Sequence, residues 1–599
     1  MFCLTAPNPL PLIHPMLATP ITETPNPLTT NMDVADPVGM VRLMRQSDAQ
    51  MFCGYDVYPS LADEQMIEAM AVFAWRMSRL LKDSDNIIIL SGAGTSGRFA
   101  HLLCLEFNRV LRDRRLPEIF KPLIAGSEAA LIQAQEAAED SAQAAVRDIK
   151  AAIPADMNKG LYIGITAGLS APYVAAQLDY LGGNAAFDSV LIGFNPASLA
   201  RDKPVEGWDK TVKGVIDQAL ASERFILMNP VCGPEPITGS TRMKGGSMTK
   251  IVIETAFATA LEIIENQLQH DAQAMKMNEH HLLPVRAGIL ERLRRYRECV
   301  EAAYSNVEGL AELVRMAGTA LRSGGRIHYL GRGVAGVLGI IDASECPPTY
   351  GADPFDVRGY LREGWDFMGY SAAQMKARGR AYEIGHDYFE EHVLPEISRG
   401  DVVIGIAVQS LGDNTKRLLE EAAAQKATTA LLLVSTERPK ASELPETLRH
   451  RCFIDVPYAG FLRGINNEAE LALKICLNAI TTGGHVMAGK VYTNIMIDLK
   501  ISNSKLYDRA VGLIAHLSKT SLLVAQRALH EAIFKEKATD AELATVSVQM
   551  SVHRAMSRPR IVPLAILLAT GKFTFEQAED RLAAEPRVRR IIEEVVEGK

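Results

Sequence analysis

Asn86-Ile-Ile-Ile-Leu-Ser-Gly-Ala-Gly-Thr-Ser-Gly-Arg98 and Arg326-Ile-His-Tyr-Leu-Gly-Arg-Gly-Val-Ala-Gly336 are two copies of one unit: a short apolar strand, a glycine turn and the start of a helix. Glycine lets a backbone approach a ligand closely, and a helix N-terminus offers unpaired N–H groups to an anion. The copies depart from each other in complementary ways. The first keeps hydroxyls at Thr95 and Ser96, where the second has Val334 and Ala335. The second runs on into Asp342-Ala-Ser-Glu-Cys-Pro-Pro-Thr-Tyr-Gly351, the first into the unlike Leu103-Cys-Leu-Glu-Phe-Asn108. Two half-sites that each lost a different part imply one shared site at a pseudo-twofold interface.

Around the first copy, strands are expected at Ile87–Leu90, Pro122–Ala125, Leu161–Ile165, Ser189–Gly193 and Phe225–Met228. Helices are expected at Ser96–Leu111, Ala129–Ala152, Ser170–Leu181 and Lys250–Asn266. Around the second, strands are expected near Ile327–Leu330, Val402–Ala407, Ala430–Val434 and Cys452–Asp455. With the two loops superposed, Glu106 falls on Glu345 and Ile163–Thr166 near Ile404–Ala407. The repeat is a whole domain, so this is a tandem duplication and not a solenoid. Short apolar strands alternating with helices imply parallel sheets covered on both faces. The fold class expected is α/β, with two flavodoxin-like parallel-sheet domains and a C-terminal all-α lid. The divisions expected are an N-terminal arm over 1–50, domain one over 51–285, domain two over 286–500 and the lid over 501–599.

The 599-residue chain suits two or more cores. A net charge of −7 without a dominant basic patch argues against a nucleic-acid binder. The eight cysteines are scattered, with no CxxC and no Cys/His cluster, so neither a disulfide framework nor a zinc site is expected. Reduced thiols fit a cytoplasmic protein. The Pro- and Thr-rich start has no basic region followed by an apolar core, so no signal peptide is expected. The apolar runs are strand-length, so no membrane span is expected either.

Two further Gly-rich, hydroxyl-bearing turns accompany the first loop: Ile165-Thr-Ala-Gly-Leu-Ser170 and Gly233-Pro-Glu-Pro-Ile-Thr-Gly-Ser-Thr-Arg-Met-Lys-Gly-Gly246. In a doubly wound sheet such turns gather at the carboxyl ends of the strands. Ser240, Thr241, Arg242 and Lys244 each suit an anion or a helix cap. A dinucleotide reading of the first turn lacks the acidic residue that should end the next strand. Three such loops in one domain favour a sugar-phosphate pocket. Glu139 and Glu345 are the acid/base candidates. Glu139 alone reads as a solvated helical face, whereas Glu345 stands where Cys-Pro-Pro must end a helix. Glu106, between Leu105 and Phe107, reads as packing.

The segments Leu90–Arg98, Ala138–Ser141, Gly164–Pro172, Gly233–Lys250, Asp342–Asp353 and Gly489–Leu506 resemble the sugar isomerase (SIS) domain family. Within it they resemble two branches, the N-acetylmuramic acid 6-phosphate etherases and the tandem-domain glucokinase regulatory proteins. Ile21–Thr29 and Pro354–Tyr360 resemble the second branch; Ala343–Gly351 resembles the first. The regulators' hydrophobic kinase-contact segment is replaced here by Val456-Pro-Tyr-Ala-Gly-Phe-Leu462.

The resemblance implies a substrate site of Gly94, Thr95, Ser96, Thr166, Gly168, Ser170, Ser240, Thr241 and Lys505. It implies that Glu139 and Glu345 are catalytic, Glu345 being supplied across the interface, and that no metal or cofactor takes part. The first function expected is lactyl-ether elimination from N-acetylmuramate 6-phosphate. The alternative is a fructose-phosphate-responsive inhibitor of a sugar kinase, and a third, less favoured, is an aldose–ketose isomerase.

Overall fold

The computed structural model describes residues 20–135, 137–266, 279–499, 501, 504–555 and 558–595. Each glycine-turn copy opens a five-stranded, all-parallel sheet. The first sheet has β1 (Ile87–Gly92), β2 (Phe120–Ile124), β3 (Gly160–Ile165), β4 (Phe187–Ile192) and β5 (Phe225–Met228), in the order β2-β1-β3-β4-β5. The second has β6 (Ile327–Gly331), β7 (Val357–Leu361), β8 (Val402–Val408), β9 (Thr428–Ser435) and β10 (His450–Asp455), in the order β10-β9-β8-β6-β7. Read from its β7 edge, the second sheet repeats the first strand for strand. The register agrees too: Leu90 pairs with Ile163 in one sheet, and Tyr329 with Ile404 in the other. β1, β3, β6 and β7 are buried along their whole length, as helices on both faces require.

The repeats share one apolar core, while the lid has its own. The helices Lys244–Glu265 and Asn467–Met487 are buried on nearly every side and carry buried charges such as Lys250, Glu254 and Glu470 between them. Gly483 lets the second of them press on the helix Val307–Arg322, since a Cβ there would stand 2.5 Å from Val314 Cγ1. Among the described residues, six further helices from Ser504–Ser518 to Val588–Val595 form the lid, with the short Asp540–Thr545 between the second and third. No helix among the described residues is long and apolar enough to cross a membrane.

Three departures from the sequence reading are instructive. The helix expected at Ala129–Ala152 is broken into 3₁₀ turns at Ser127–Leu131 and Ala138–Asp140 and a helix at Ala142–Ala152. Ala137 adopts φ +57°, and Ser141 restarts the helix by accepting a bond from Ala144 N at 3.2 Å. Glu139 therefore lies on an exposed turn, not on a helical face. β7 went unread because Arg358 and Gly359 interrupt its apolar pattern. Gly359 is needed there: a Cβ would lie 2.5 Å from Ile340 N on the covering helix. The segment read as an extended arm forms 3₁₀ turns at Ile21–Glu23 and Pro27–Thr29, followed by a helix at Pro37–Ala49.

Candidate functional site

β1 ends at Gly92, and the chain turns through Gly94 at φ +52° into the helix Gly94–Asp113. Gly92 and Gly97 must lack side chains, because a Cβ on either would collide with backbone across the turn. Gly94 faces open space: nothing stands within 4 Å of where its Cβ would be. No side chain caps this helix, and Thr95 and Ser96 are half-buried beside its N-terminus. That is the geometry of an anion seat.

The second loop closes on itself. Thr166 is buried and its Oγ1 accepts bonds from Ser170 N at 3.1 Å and Ala171 N at 3.2 Å. Thr166 thus shapes the loop, while Gly168 and Ser170 reach its surface. The third loop carries Ser240, whose Oγ is buried with no hydrogen-bond partner among the described residues, and half-buried Thr241. The three loops converge on the start of the helix Lys244–Glu265. A Cβ at Gly246 would lie 3.3 Å from Thr95 Cγ2, and one at Gly245 would lie 3.2 Å from Ala167 Cβ.

Arg242 and Lys244, read as anion ligands or caps, do neither. Arg242 is buried and pairs with Asp342 at 2.9 Å, and it also bonds Thr481, Thr482 and the Tyr350 hydroxyl of the second repeat. Losing one partner of such a buried pair costs about 3–5 kcal/mol. Lys244 Nζ donates to Gln50 Oε1 at 2.7 Å and Cys232 O at 2.8 Å. The N-terminus of its helix is already occupied: Glu235 accepts from Lys244 N at 2.8 Å and Gly245 N at 2.9 Å. Burial pushes the Glu235 carboxyl up to about 7, with Lys244 opposing. An acid inside the Gly-Pro-Glu-Pro turn was the available signal for this cap.

The N-terminal arm completes the wall. Thr22 exchanges bonds with Asn195 at 3.1 and 2.9 Å, and its carbonyl accepts from Gly239 N at 3.2 Å. Asn195 also holds Gly168 O at 3.0 Å. The sequence reading gave the arm no part in the site.

Glu345 is brought to repeat one. It ends the helix Gly333–Ser344 and is buried, and its Oε1 is ion-paired with Nη1 of Arg98, one turn beyond Thr95 and Ser96. Arg98 is buried as well, and its Nε donates to Leu131 O at 3.1 Å. Pro347 and Pro348 sit in the first turn of a short helix, Cys346–Tyr350, where proline is tolerated. The Glu139 turn is tied to the second loop through Arg201, which bonds Asp140 at 2.6 Å and, through its N–H, Leu169 O at 3.0 Å. Lys505 belongs to the lid helix Ser504–Ser518, and its side chain lies outside the described residues.

A cavity of about 540 Å³ opens between the two repeats and the lid. Ile132–Gln135 of repeat one, Ala343, Ser344 and Pro347–Thr349 of repeat two, and Leu506 and Arg509 of the lid wall it. Its size suits a small ligand. Thr95, Ser96, Arg98 and Glu345 are not among its lining residues, though Ser344, next to Glu345, is.

The mirror-image site is closed. Gly333 repeats the turn at φ +53°, but its N–H donates to Glu363 Oε2 at 3.0 Å, and Val334 and Ala335 are buried. Glu106, the counterpart of Glu345, is buried with Glu254 and Glu470 around Lys250 Nζ, at 3.9 Å for Glu106 and 3.1 Å for Glu470. The three carboxylates have metal-like spacing, but the ammonium among them already supplies the positive charge.

A family model described as the glucokinase regulatory protein N-terminal SIS domain matches residues 73–182. The models of that family's second SIS domain and C-terminal lid domain match 304–488 and 493–592. The chain is 31% identical over 593 residues to the glucokinase regulatory protein of Xenopus laevis, covering 96% of this chain and 93% of that one. It is 30% identical over 600 residues to the one of Homo sapiens, covering 97% and 93%. An N-acetylmuramic acid 6-phosphate etherase of Symbiobacterium thermophilum is 33% identical over 229 residues, covering 37% of this chain and 71% of that one.

Proposed function

The chain belongs to the glucokinase regulatory protein family, and from that premise we propose that it binds a sugar phosphate at one composite site and eliminates a lactyl ether from it. The Arg98–Glu345 ion pair carries this reading, since it sets a carboxylate of repeat two beside the open anion seat of repeat one. The phosphate would sit at the N-terminus of the helix Gly94–Asp113, with Thr95, Ser96, Gly168, Ser170, Ser240 and Thr241 around it and Lys505 reaching in from the lid. The sugar would extend past Glu345 into the cavity.

In the ring-opened substrate the C2–H is acidic because it adjoins the C1 carbonyl. A base removes that proton, the C3–O bond breaks, and its electron pair leaves on the lactate oxygen, which an acid protonates. Water then adds across the C2–C3 double bond, with hydroxyl to C3 and proton to C2. Two carboxyl groups in unlike settings suit acid and base work. Glu345 is buried against a guanidinium, and Glu139 is exposed on a turn. The phosphate orients the sugar with binding energy remote from the reacting bonds.

The test is D-lactate release from N-acetylmuramate 6-phosphate by wild type, Glu345→Gln and Glu139→Gln. Each substitution should lower kcat by about 10²–10⁴ and leave sugar-phosphate binding largely intact. Turnover that survives Glu345→Gln removes Glu345 from the mechanism.

The second reading is a sugar-phosphate-responsive binder of a sugar kinase, and near-full-length similarity to regulatory proteins favours it. In the segment Val456–Leu462, which replaces the regulators' kinase contact, the half-buried rings of Tyr458 and Phe461 lie under the Arg295 guanidinium carbon, which is 4.3 and 5.7 Å from their centroids. Saturable fructose-phosphate binding without lactate release, with co-purification of a sugar kinase, would select this reading.

A further inference from the structure

Thr249-Lys-Ile-Val-Ile253 and Leu473-Lys-Ile-Cys-Leu477 stand at like places in the two repeats, on the buried helices Lys244–Glu265 and Asn467–Met487. Each helix buries a lysine there, Lys250 in repeat one and Lys474 in repeat two. Glu470, one turn before Lys474, crosses the interface to Lys250 Nζ at 3.1 Å. Gly246, one turn before Lys250, faces the other way: a Cβ on it would stand 3.4 Å from Lys474 Nζ. Glu254, one turn after Lys250, is ion-paired with it, whereas Asn478, one turn after Lys474, donates to Asp342 Oδ1 at 2.8 Å. Glu106 completes the set around Lys250, while its counterpart Glu345 is paired with Arg98. The closed half thus surrounds its ammonium with three carboxylates. The open half has glycine, an amide and a diverted glutamate in their places.

Lys474 Nζ donates to Met243 O and, at 2.8 Å, to Ser247 Oγ, and it makes no ion pair among the described residues. The charged groups that face it are already engaged. Asp48 of the helix Pro37–Ala49 accepts from the Tyr304 hydroxyl at 2.7 Å, Glu235 caps the helix that carries Gly246, and Asp342 is paired with Arg242. A buried ammonium without a paired carboxylate is costly, and burial brings Lys474 down to about 8. The Gly246 position that lies against Lys474 Nζ is also 3.3 Å from Thr95 Cγ2, so this ammonium stands at the edge of the anion seat. Resting on the sugar-phosphate reading above, we propose that Lys474 of repeat two supplies the counter-charge for a phosphate held at the seat of repeat one. The ligand then does for Lys474 what Glu106, Glu254 and Glu470 do for Lys250. Repeat two contributes the cation of the shared site as well as Glu345.

Titration calorimetry with N-acetylglucosamine 6-phosphate, in buffers of unlike ionisation enthalpy, reads affinity and proton count together. A phosphate nearby favours the charged ammonium, so at about pH 8.5 binding to wild type should take up about 0.5–1 proton per ligand. The phosphate itself is already fully ionised there. Lys474→Met should lower affinity about 10- to 100-fold and abolish the proton uptake, a signature that a merely structural lysine would not carry. Asn478→Glu, which gives Lys474 the carboxylate that Lys250 has, should weaken binding and reduce the uptake with the lysine still present. Wild-type binding without proton uptake overturns the proposal and leaves the sugar-phosphate reading standing. So does unchanged affinity and uptake in folded Lys474→Met. If the ligand does not bind wild type at millimolar concentration, the sugar-phosphate reading fails and takes this proposal with it.

Discussion

The turns at Gly94 and Gly333 have the same backbone, φ +52° and +53°, at the same place in two sheets of the same strand order. One faces open space, as the proposed anion seat requires, and at the other the chain's own Glu363 accepts the turn's N–H. The fold therefore supplies the seat, and side chains decide whether it is available. In the open copy, Thr95 and Ser96 flank an uncapped helix. In the closed copy, Val334 and Ala335 are packed away and a carboxylate takes the N–H that a phosphate would need. The division of labour extends to the carboxylates: Glu345 faces repeat one's loop through Arg98, while Glu106 is sealed with Lys250.

The comparison breaks most severely if repeat one is given repeat two's residues. Thr95→Val/Ser96→Ala should weaken sugar-phosphate binding by about 10²–10⁴, as expected for two lost hydrogen bonds to a charged group, measured by titration calorimetry. An unchanged affinity would place the phosphate elsewhere. Next in size is the link between the repeats. Arg98→Met leaves Glu345 without its counter-charge and should cost about 3–5 kcal/mol in chemical denaturation. Arg98→Met/Glu345→Gln should recover part of that, because no buried charge is then left alone.

The repeats should also part company in acid. Burial holds the imidazoles of His328, His386 and His485 in repeat two down at about 4, 4 and 3, against His101 at about 4 in repeat one. A depressed histidine adds stability above its unfolded value and loses it as pH falls toward the folded one. Glu235 and Glu254 of repeat one are raised by burial to about 7, and Glu468 of repeat two to about 6. Raised carboxyls work the other way, adding stability at low pH that is lost as pH rises through those values. Lowering the pH from about 6.5 to 4 should therefore loosen repeat two before repeat one, which hydrogen exchange can resolve by peptide. The smallest effect expected is at Glu363. Glu363→Gln weakens a helix-end contact, lowers stability by about 0.5–2 kcal/mol, and leaves sugar-phosphate affinity unchanged.

Much of this was legible before any coordinates. Glycines at strand ends and strand-length apolar runs were enough to expect the paired parallel sheets, and the complementary losses of the two copies are what the proposed shared site starts from. What escaped was held by contacts distant in sequence. Glu363 meets Gly333 only because β7 runs beside β6, and β7 itself was masked by Arg358 and Gly359. Arg242 and Lys244 look like anion ligands on paper. Their partners, Asp342 and the carbonyl of Cys232, exist only once the chain is packed. The part of the arm at Thr22 was equally hidden, since a proline-rich start carries no periodicity to read.

The central claim is a single composite site per chain, and the stoichiometry of sugar-phosphate binding tests it most directly. Calorimetric titration with N-acetylglucosamine 6-phosphate should give one ligand per chain in wild type, one in Glu363→Gln, and no saturation over the wild-type concentration range in Thr95→Val/Ser96→Ala. Two ligands per chain in wild type, or one that persists in Thr95→Val/Ser96→Ala, would contradict it.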